Sequence, residues 1–360
     1  MKRFQLTFAL AIALLLCTSA FAQTYTFHTI VYPNSPNAPF TQLLGINNNN
    51  IIAGYQNFNQ NQGFTLTLPN AFRTENFPNS MMTQVIGISN NLTTDGFYVD
   101  NDGLTHGFFR TRDGVFTKVD YPGAEISTSF NQLLSQNDYY QAAGYYSNSI
   151  NNTTPDIPYV YDEVGGVFHV ITIPGAVGGA QATGINNSGA ICGFFIDANG
   201  VNHGWISNRG IFMPLDVPGS TFTQALGLNN TGKVVGTFTD AAGLNHGFVY
   251  LIGTASFQTI DDPNGVGTTV VNGINDQGTL VGFYGTAPIN SGFVAVAKGG
   301  PAPLRAANVP PTVIPPVVNR EDAAANVPPT VIPPVVNRED ASGSGPTEKF
   351  PPFVITDHSR

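Results

Sequence analysis

The sequence predicts an all-β fold: a six-bladed β-propeller of four-stranded blades, closed by the N-terminal strand, with a disordered proline-rich C-terminal tail. Three observations lead there. First, one stretch keeps returning. It is GSTFTQALGLNNTGKVVGTFTDAAGLNHGFVY at 219–250, with clear copies at 184–205 and 273–293, looser ones near Gly45 and Gly87, and a degenerate one near Leu134. Second, the copies align on the glycines Gly54, Gly96, Gly144, Gly193, Gly236 and Gly282, spaced by 42, 48, 49, 43 and 46 residues. A period in the forties built from several short strands is the signature of propeller blades. Third, only 10% of the 360 residues are charged, against about 25% in an average soluble domain. The 39 glycines and 11% aromatics are a composition of strands and turns. No unit holds an uninterrupted apolar stripe of helical period, which excludes helical repeats of similar length.

The N-terminus reads as a secretory leader. Lys2 and Arg3 precede the apolar run Leu6 to Leu16, and Ala20-Phe21-Ala22 is a small-x-small cleavage site, so residues 1–22 are expected to leave and the mature chain to start at Gln23. Cys17 follows Leu16, too large for the small residue that lipidation requires. No later run approaches the ~18 apolar residues of a membrane span. The formal charge of −9 becomes −11 without Lys2 and Arg3. A nucleic-acid partner needs a basic footprint, which this chain lacks, so that class is excluded. Cleavage leaves Cys192 as the one cysteine, at a position where other copies carry Ala53, Val235 and Val281. A small buried strand residue is expected there.

Each unit of the domain at 23–300 reads as four strands. Strand A is typified by Thr221 to Leu228, with Phe222, Leu226 and Leu228 assigned to one face. Asn229-Asn230-Thr231-Gly232 supplies a turn whose residues tolerate positive φ. Strand B is Lys233 to Thr239, strand C His246 to Leu251 and strand D Ser256 to Asp261. The longest regular connections follow D at Pro33, Pro78, Pro122, Pro174, Pro218 and Pro263, and are placed between blades. By that count Tyr25 to Val31 is an orphan strand D, and the last unit ends at strand C, Gly292 to Ala297. Pairing the two closes the ring and removes exposed edges. The third unit departs from the pattern, with Leu134-Ser135-Gln136 for Gly-Ile-Asn and an enlarged loop from Ser147 to Ile157.

After Gly300 the composition changes. AANVPPTVIPPVVNRED at 306–322 recurs at 324–340, an offset of 18. Paired prolines favour polyproline II and forbid helix or central strand, so 301–360 reads as a tail outside the folded domain.

Three histidines share one repeat position. His106, His203 and His246 each open His-Gly-aromatic, six residues after Asp100, Asp197 and Asp240. In the other units both partners are missing together, so a side-chain contact across the B–C hairpin is expected. As His and Asp are both metal ligands, these six residues are also the metal candidates. One pair supplies only two ligands, and no metal or other cofactor is expected. Asp120, Asp216 and Asp261 precede the Pro-Gly links, and are read as capping their own turns. Tyr32, Phe77 and Tyr121 stand beside the links of the first three blades, either packed under the loops or open as a ligand platform. No nucleophile elbow or other catalytic setting is present, and no catalytic residue is assigned.

Units of the form Gly-Ile-Asn-x-x-Gly-x-(Ile/Val)-x-Gly followed by Asp-x-x-Gly-x-x-His-Gly-Phe resemble the HAF-type extracellular repeats of bacteria. The resemblance covers Tyr25 to Lys298 and is clearest at 184–205 and 219–248. The family takes its name from His-Ala-Phe, and here Gly107, Gly204 and Gly247 replace the alanine. The resemblance implies a secreted tandem-repeat protein and implies no activity. The sequence thus leads to a secreted non-catalytic binding or surface-scaffold module with a polysaccharide or protein ligand. Two alternatives stay open: a propeller hydrolase or lyase with its site on one ring face, and a surface protein that self-associates through its tail.

Overall fold

The computed structural model describes residues 23–33, 40–57, 60–122, 130–148, 154–285 and 289–299, and the backbone of 355–356. The expected leader and nearly all of the expected tail lie outside the described residues. Every regular element among those described is a strand. After β1 (Tyr25–Ile30) come β2 (Thr41–Ile46), β3 (Ile51–Asn57), β4 (Asn61–Thr67) and β5 (Ala71–Thr74). The next meander is β6 (Met82–Ile88), β7 (Thr94–Val99), β8 (Thr105–Arg110) and β9 (Phe116–Val119). It is followed by β10 (Phe130–Gln136), β11 (Gln141–Ser147), β12 (Ile157–Asp162) and β13 (Val167–Ile171). Then come β14 (Ala180–Ile185), β15 (Ile191–Ile196), β16 (Asn202–Asn208) and β17 (Ile211–Leu215). The meander β18 (Phe222–Leu228), β19 (Lys233–Thr239), β20 (Asn245–Leu251) and β21 (Ser256–Ile260) precedes β22 (Val270–Ile274), β23 (Leu280–Tyr284) and β24 (Ser291–Ala297).

Four sheets have four strands, ordered β2-β3-β4-β5, β14-β15-β16-β17, β18-β19-β20-β21 and β1-β24-β23-β22. A fifth runs through nine. In it the meanders β6–β9 and β10–β13 are joined by one parallel pairing, Phe130 with Thr105, and β25 (Ile355–Thr356) lies beside Val170 and Ile171 of β13. That last pairing departs from the expectation of a tail wholly outside the domain. β1 pairs antiparallel with β24, Tyr25 opposite Ala297 and Ile30 opposite Gly292. The second strand of each meander packs on the first strand of the next: β3 on β6, β7 on β10, β11 on β14, β15 on β18, β19 on β22, and β23 back on β2. The chain is an all-β propeller.

Two glycine positions explain why the sheets pack so closely. A Cβ on the glycine of the second strand would lie about 2 Å from a first-strand carbonyl, as at Gly96 against Gln84 (2.0 Å) or Gly236 against Gln224 (1.9 Å). The bare face is covered by the aromatic residue directly opposite: Phe64 on Gly54, Trp205 on Gly193, Phe248 on Gly236 and Phe293 on Gly282. Such aromatic cover offsets what glycine costs a strand. The glycine before that aromatic admits the next sheet. A Cβ on Gly247 would meet Val271 of the next sheet at 2.4 Å; one on Gly204 would meet the Leu215 carbonyl of its own sheet at 2.4 Å and Thr223 of the next at 3.3 Å. Glycine rather than alanine in His-Gly-aromatic is therefore a packing requirement of this chain.

Assigning Phe222, Leu226 and Leu228 to one face needs correction. Each first strand carries a β-bulge, between Ala225 and Gly227 in this unit and between Leu43 and Gly45 in the first. The extra residue reverses the alternation. Thus Leu44 and Leu134 join a cluster with Tyr55, Phe97 and Tyr145, while their neighbours Leu43 and Leu133 belong to two others. Pro214 lies in β17, on an outer edge where a missing N–H is tolerated.

Candidate functional site

Each expected Asp–His contact exists, but as half of a larger unit. His106 faces Asp100 from Nε2 at 3.0 Å and Asp120 from Nδ1 at 2.9 Å. His203 stands 2.9 Å from Asp216 and 3.5 Å from Asp197, and His246 2.9 Å from Asp261 and 3.5 Å from Asp240. The hairpin carboxylates Asp100, Asp197 and Asp240 also cap the B–C turn, accepting backbone N–H from Leu104, Val201 and Leu244. Asp120, Asp216 and Asp261 do not serve mainly as caps of their own turns, as the sequence suggested. The third-to-fourth-strand register sets Val119 opposite Gly107, so the residue after the strand arrives beside the histidine. In the first meander the same place holds Asn76, which accepts from the Gly63 N–H, while Gln62 pairs with Gln56.

A carboxylate beside an imidazole favours its charged form. Burial pulls the His106 pKa down, but Asp120 and Asp100 outweigh it and the net direction is up. His203 is raised mainly by Asp216, against burial. The rings of His203 and His246 stack on Phe195 and Phe238 of the neighbouring strand, with centroids 5.1 and 5.2 Å apart. His106 engages both ring nitrogens, while His203 and His246 bond through Nδ1 and hold Nε2 at 3.5 Å from the hairpin carboxylate. Among the described residues no group of three or more His, Cys, Asp or Glu side chains is arranged to hold an ion.

Tyr32, Phe77 and Tyr121 are half-buried and pack beneath the links. Phe77 stacks on Tyr98 at 3.7 Å, Tyr121 on Tyr146 at 3.9 Å, and Tyr32 meets Phe72 edge-on at 4.9 Å. Cys192 is buried, and burial pushes its thiol up to about 12.

The turns between first and second strands converge on the ring axis and form a belt that the sequence alone did not reveal. The first Asn of a turn uses Oδ1 to cap its own turn, as Asn229 does for Thr231 and Lys233, and Nδ2 to reach a carbonyl of the next turn. The second residue completes a circuit. The backbone N–H of Asn48 donates to Asn90, Asn90 to Asp138, Asp138 to Asn187, Asn187 to Asn230, Asn230 to Asp276, and Asp276 to Asn48, at 2.8–2.9 Å. All six links run in one rotational sense. The two carboxylates stand three turns apart, and each accepts two side-chain amides: Asp138 from Asn90 and Asn187, Asp276 from Asn48 and Asn230. They surround a polar cup of about 70 Å³. The recurrence of Asn or Asp at 48, 90, 138, 187, 230 and 276 was the available signal, read only as turn chemistry.

Ionisable groups are also buried where the first and second meanders meet. Glu75, 3% exposed, accepts from Thr94 Oγ1 and pairs with Arg110 at 3.3 Å. On the other side of the strand, Asp95 is fully buried and accepts from Gln136 Nε2 at 3.1 Å. Burial pushes its carboxyl up to about 7.

No family model matches the chain, and no curated protein matches it in sequence. Solved structures of similar chain course include the Aleuria aurantia lectin, described as a six-bladed β-propeller with a novel fucose recognition mode. It is 10% identical, the match covers 78% of this chain and 97% of that one, and the TM-score is 0.44. The SapL1 lectin in complex with α-methyl fucoside is 12% identical over 72% and 94% of the two chains, with a TM-score of 0.49. The β-propeller domain of the Trilobed protease from Pyrococcus furiosus is 11% identical over 71% and 95%, with a TM-score of 0.44. What those proteins bind or cleave is a property of those proteins; here the propeller stands on its own sheets.

Proposed function

We propose that this chain is a secreted, non-catalytic six-bladed propeller of the HAF repeat type that binds an extracellular polysaccharide or protein on the face where the first-to-second-strand turns converge. The observation that carries this reading is the polar cup at the axis, ringed by amides and two carboxylates. Six belt links and six sheet-to-sheet contacts support the blade count. The histidines support the non-catalytic part, because each is tied through Nδ1 to the carboxylate that follows the fourth strand of its own sheet. Electrophoresis of the mature protein through gels cast with neutral or acidic polysaccharides, beside a reducing-end assay on the same polymers, tests the proposal. Retardation without new reducing ends is expected. Release of reducing ends would favour the hydrolase or lyase reading. No retardation, together with no extracellular protein retained on the immobilised ring, would remove the binding role.

One observation favours the second reading, assembly through the C-terminal stretch: β25 adds to the outer strand β13, and a neighbouring copy could supply the same segment. Sedimentation of the mature chain against one ending at Gly300 tests it, and equal oligomeric states would dismiss it.

A further inference from the structure

The turn between β10 and β11 differs from its siblings in a way the belt does not require. After the belt residue the others carry Asn49-Asn50, Asn91-Leu92, Ser188-Gly189, Thr231-Gly232 and Gln277-Gly278; here stand Tyr139-Tyr140. Tyr139 is 64% and Tyr140 42% exposed, the two exposed aromatic side chains among the described residues. Packing therefore does not account for them. Tyr140 has φ +63°, the left-handed region that Asn50 (+57°), Leu92 (+65°), Gly189 (+74°), Gly232 (+80°) and Gly278 (+82°) also occupy at this turn position. A left-handed conformation costs a non-glycine residue about 1 kcal/mol, so what sets this turn apart is its pair of exposed rings. Both tyrosines follow directly on Asp138, whose carboxylate lines the cup. That carboxylate accepts three hydrogen bonds, two from Asn90 and one from Asn187, of the roughly four it can take.

We infer that Tyr139, Tyr140 and Asp138 form a subsite for a neutral pyranose of a polysaccharide. The inference rests on the reading of the axial face as the binding face and names its ligand. Exposed tyrosine rings offer apolar faces for the C–H-rich side of a sugar, with hydroxyls at their tips. The carboxylate's free lone pair accepts a sugar hydroxyl. A cup of about 70 Å³ lies well below the roughly 300 Å³ of a pocket that encloses a whole ligand, so it takes one arm of a sugar and not the ring. The sugar ring therefore lies across the mouth, against the tyrosines, with one arm pointing down. Asp138 and Asp276 together repel an acidic sugar.

The test is calorimetric titration of the mature protein with maltohexaose, cellohexaose, mannohexaose and hexagalacturonate. It is repeated on the double variant Tyr139→Ser/Tyr140→Gly, which gives the turn the Ser-Gly ending of Ser188-Gly189. At least one neutral hexamer should bind, the uronate should not, and the variant should lose at least tenfold in affinity (about 1.4 kcal/mol). Its melting temperature should stay equal or rise, which separates a lost site from a lost fold. Tyr139→Phe should retain binding. Unchanged affinity in the double variant places the ligand elsewhere and overturns the subsite while leaving the binding module intact. Preference for the uronate, or no neutral hexamer bound by a protein that other polymers retard, overturns the pyranose assignment with the module again intact.

Discussion

Asp95 occupies a place that Ala53, Ala143, Cys192, Val235 and Val281 fill in other units, and it is buried without a cation opposite. Its folded pKa of about 7 lies above the unfolded value near 3.9. The native state therefore holds a proton that the unfolded chain releases, and stability falls as pH rises from about 4 to about 7, by up to about 4 kcal/mol. Asp95→Val should flatten that limb and stabilise the protein at pH 8; Val235 and Val281 already sit against Gly227 and Gly273, so valine fits. Urea unfolding at pH 5 and pH 8 checks it, and a variant no more stable at pH 8 would show the carboxyl to be solvated. His106 gives a pH slope of the same sign, from a favourable contact rather than a buried charge. Its pKa is raised, so its contribution is whole below about 6.5 and fades as pH climbs through the folded value. Asp100 is lowered on balance by backbone and His106 hydrogen bonds that outweigh burial, so its share is lost as pH falls through its folded value. His106→Gln should cost most between about pH 4 and pH 6.5. Thermal melts across pH read this out, and chelator should leave both proteins unmoved.

At the scale of the strand, the repeat was highly legible. Strand B was read residue for residue as β19, and strands A, C and D to within one residue of each end, because turn glycines and alternating apolar residues report local chemistry. The bulge was hidden, because it follows from a carbonyl pressing on a glycine of the neighbouring strand. The second carboxylate on each histidine was hidden for a related reason: 13–15 residues separate the partners, and only the register of the third and fourth strands brings them together. The strand β1 carries a prediction of its own. Its pairing with β24 covers an edge and packs Tyr25 and Phe27 against a core that includes Phe293. Removing residues 23–31 should lower the melting temperature by on the order of 10 °C or more, several kcal/mol at this size, and promote aggregation through the bared edge. A calorimetric melt matching that of the intact chain would refute it.

Over the whole molecule, the belt acts as one hydrogen-bonded circuit. Because its links all point the same way, each polarises the next. Asp138 and Asp276 stand in equivalent places, so Asp138→Ala and Asp276→Ala should destabilise alike, each by about 1 kcal/mol, because the half-exposed donors left behind are met by water. Denaturant midpoints would report a distinctly larger loss at Asp276 if the link between the ends of the chain bore strain that the others do not. Ring closure was legible from a count of strands. The belt was not, since each of its links joins residues more than 40 positions apart.

The adjacency of β1 and β24 has a topological consequence. The Lys298 N–H donates to the Thr24 carbonyl at 2.7 Å, so the first and last strands of the ring begin and end at one point in space. The order in which the blades are synthesised is then arbitrary as far as the native contacts are concerned. A circular permutant joining Lys298 to Thr24 through a few glycines, and cut between Pro218 and Gly219, should refold to a ring with the same near-ultraviolet dichroism. Only its folding rate should differ, because the permutation changes which contacts are local in sequence.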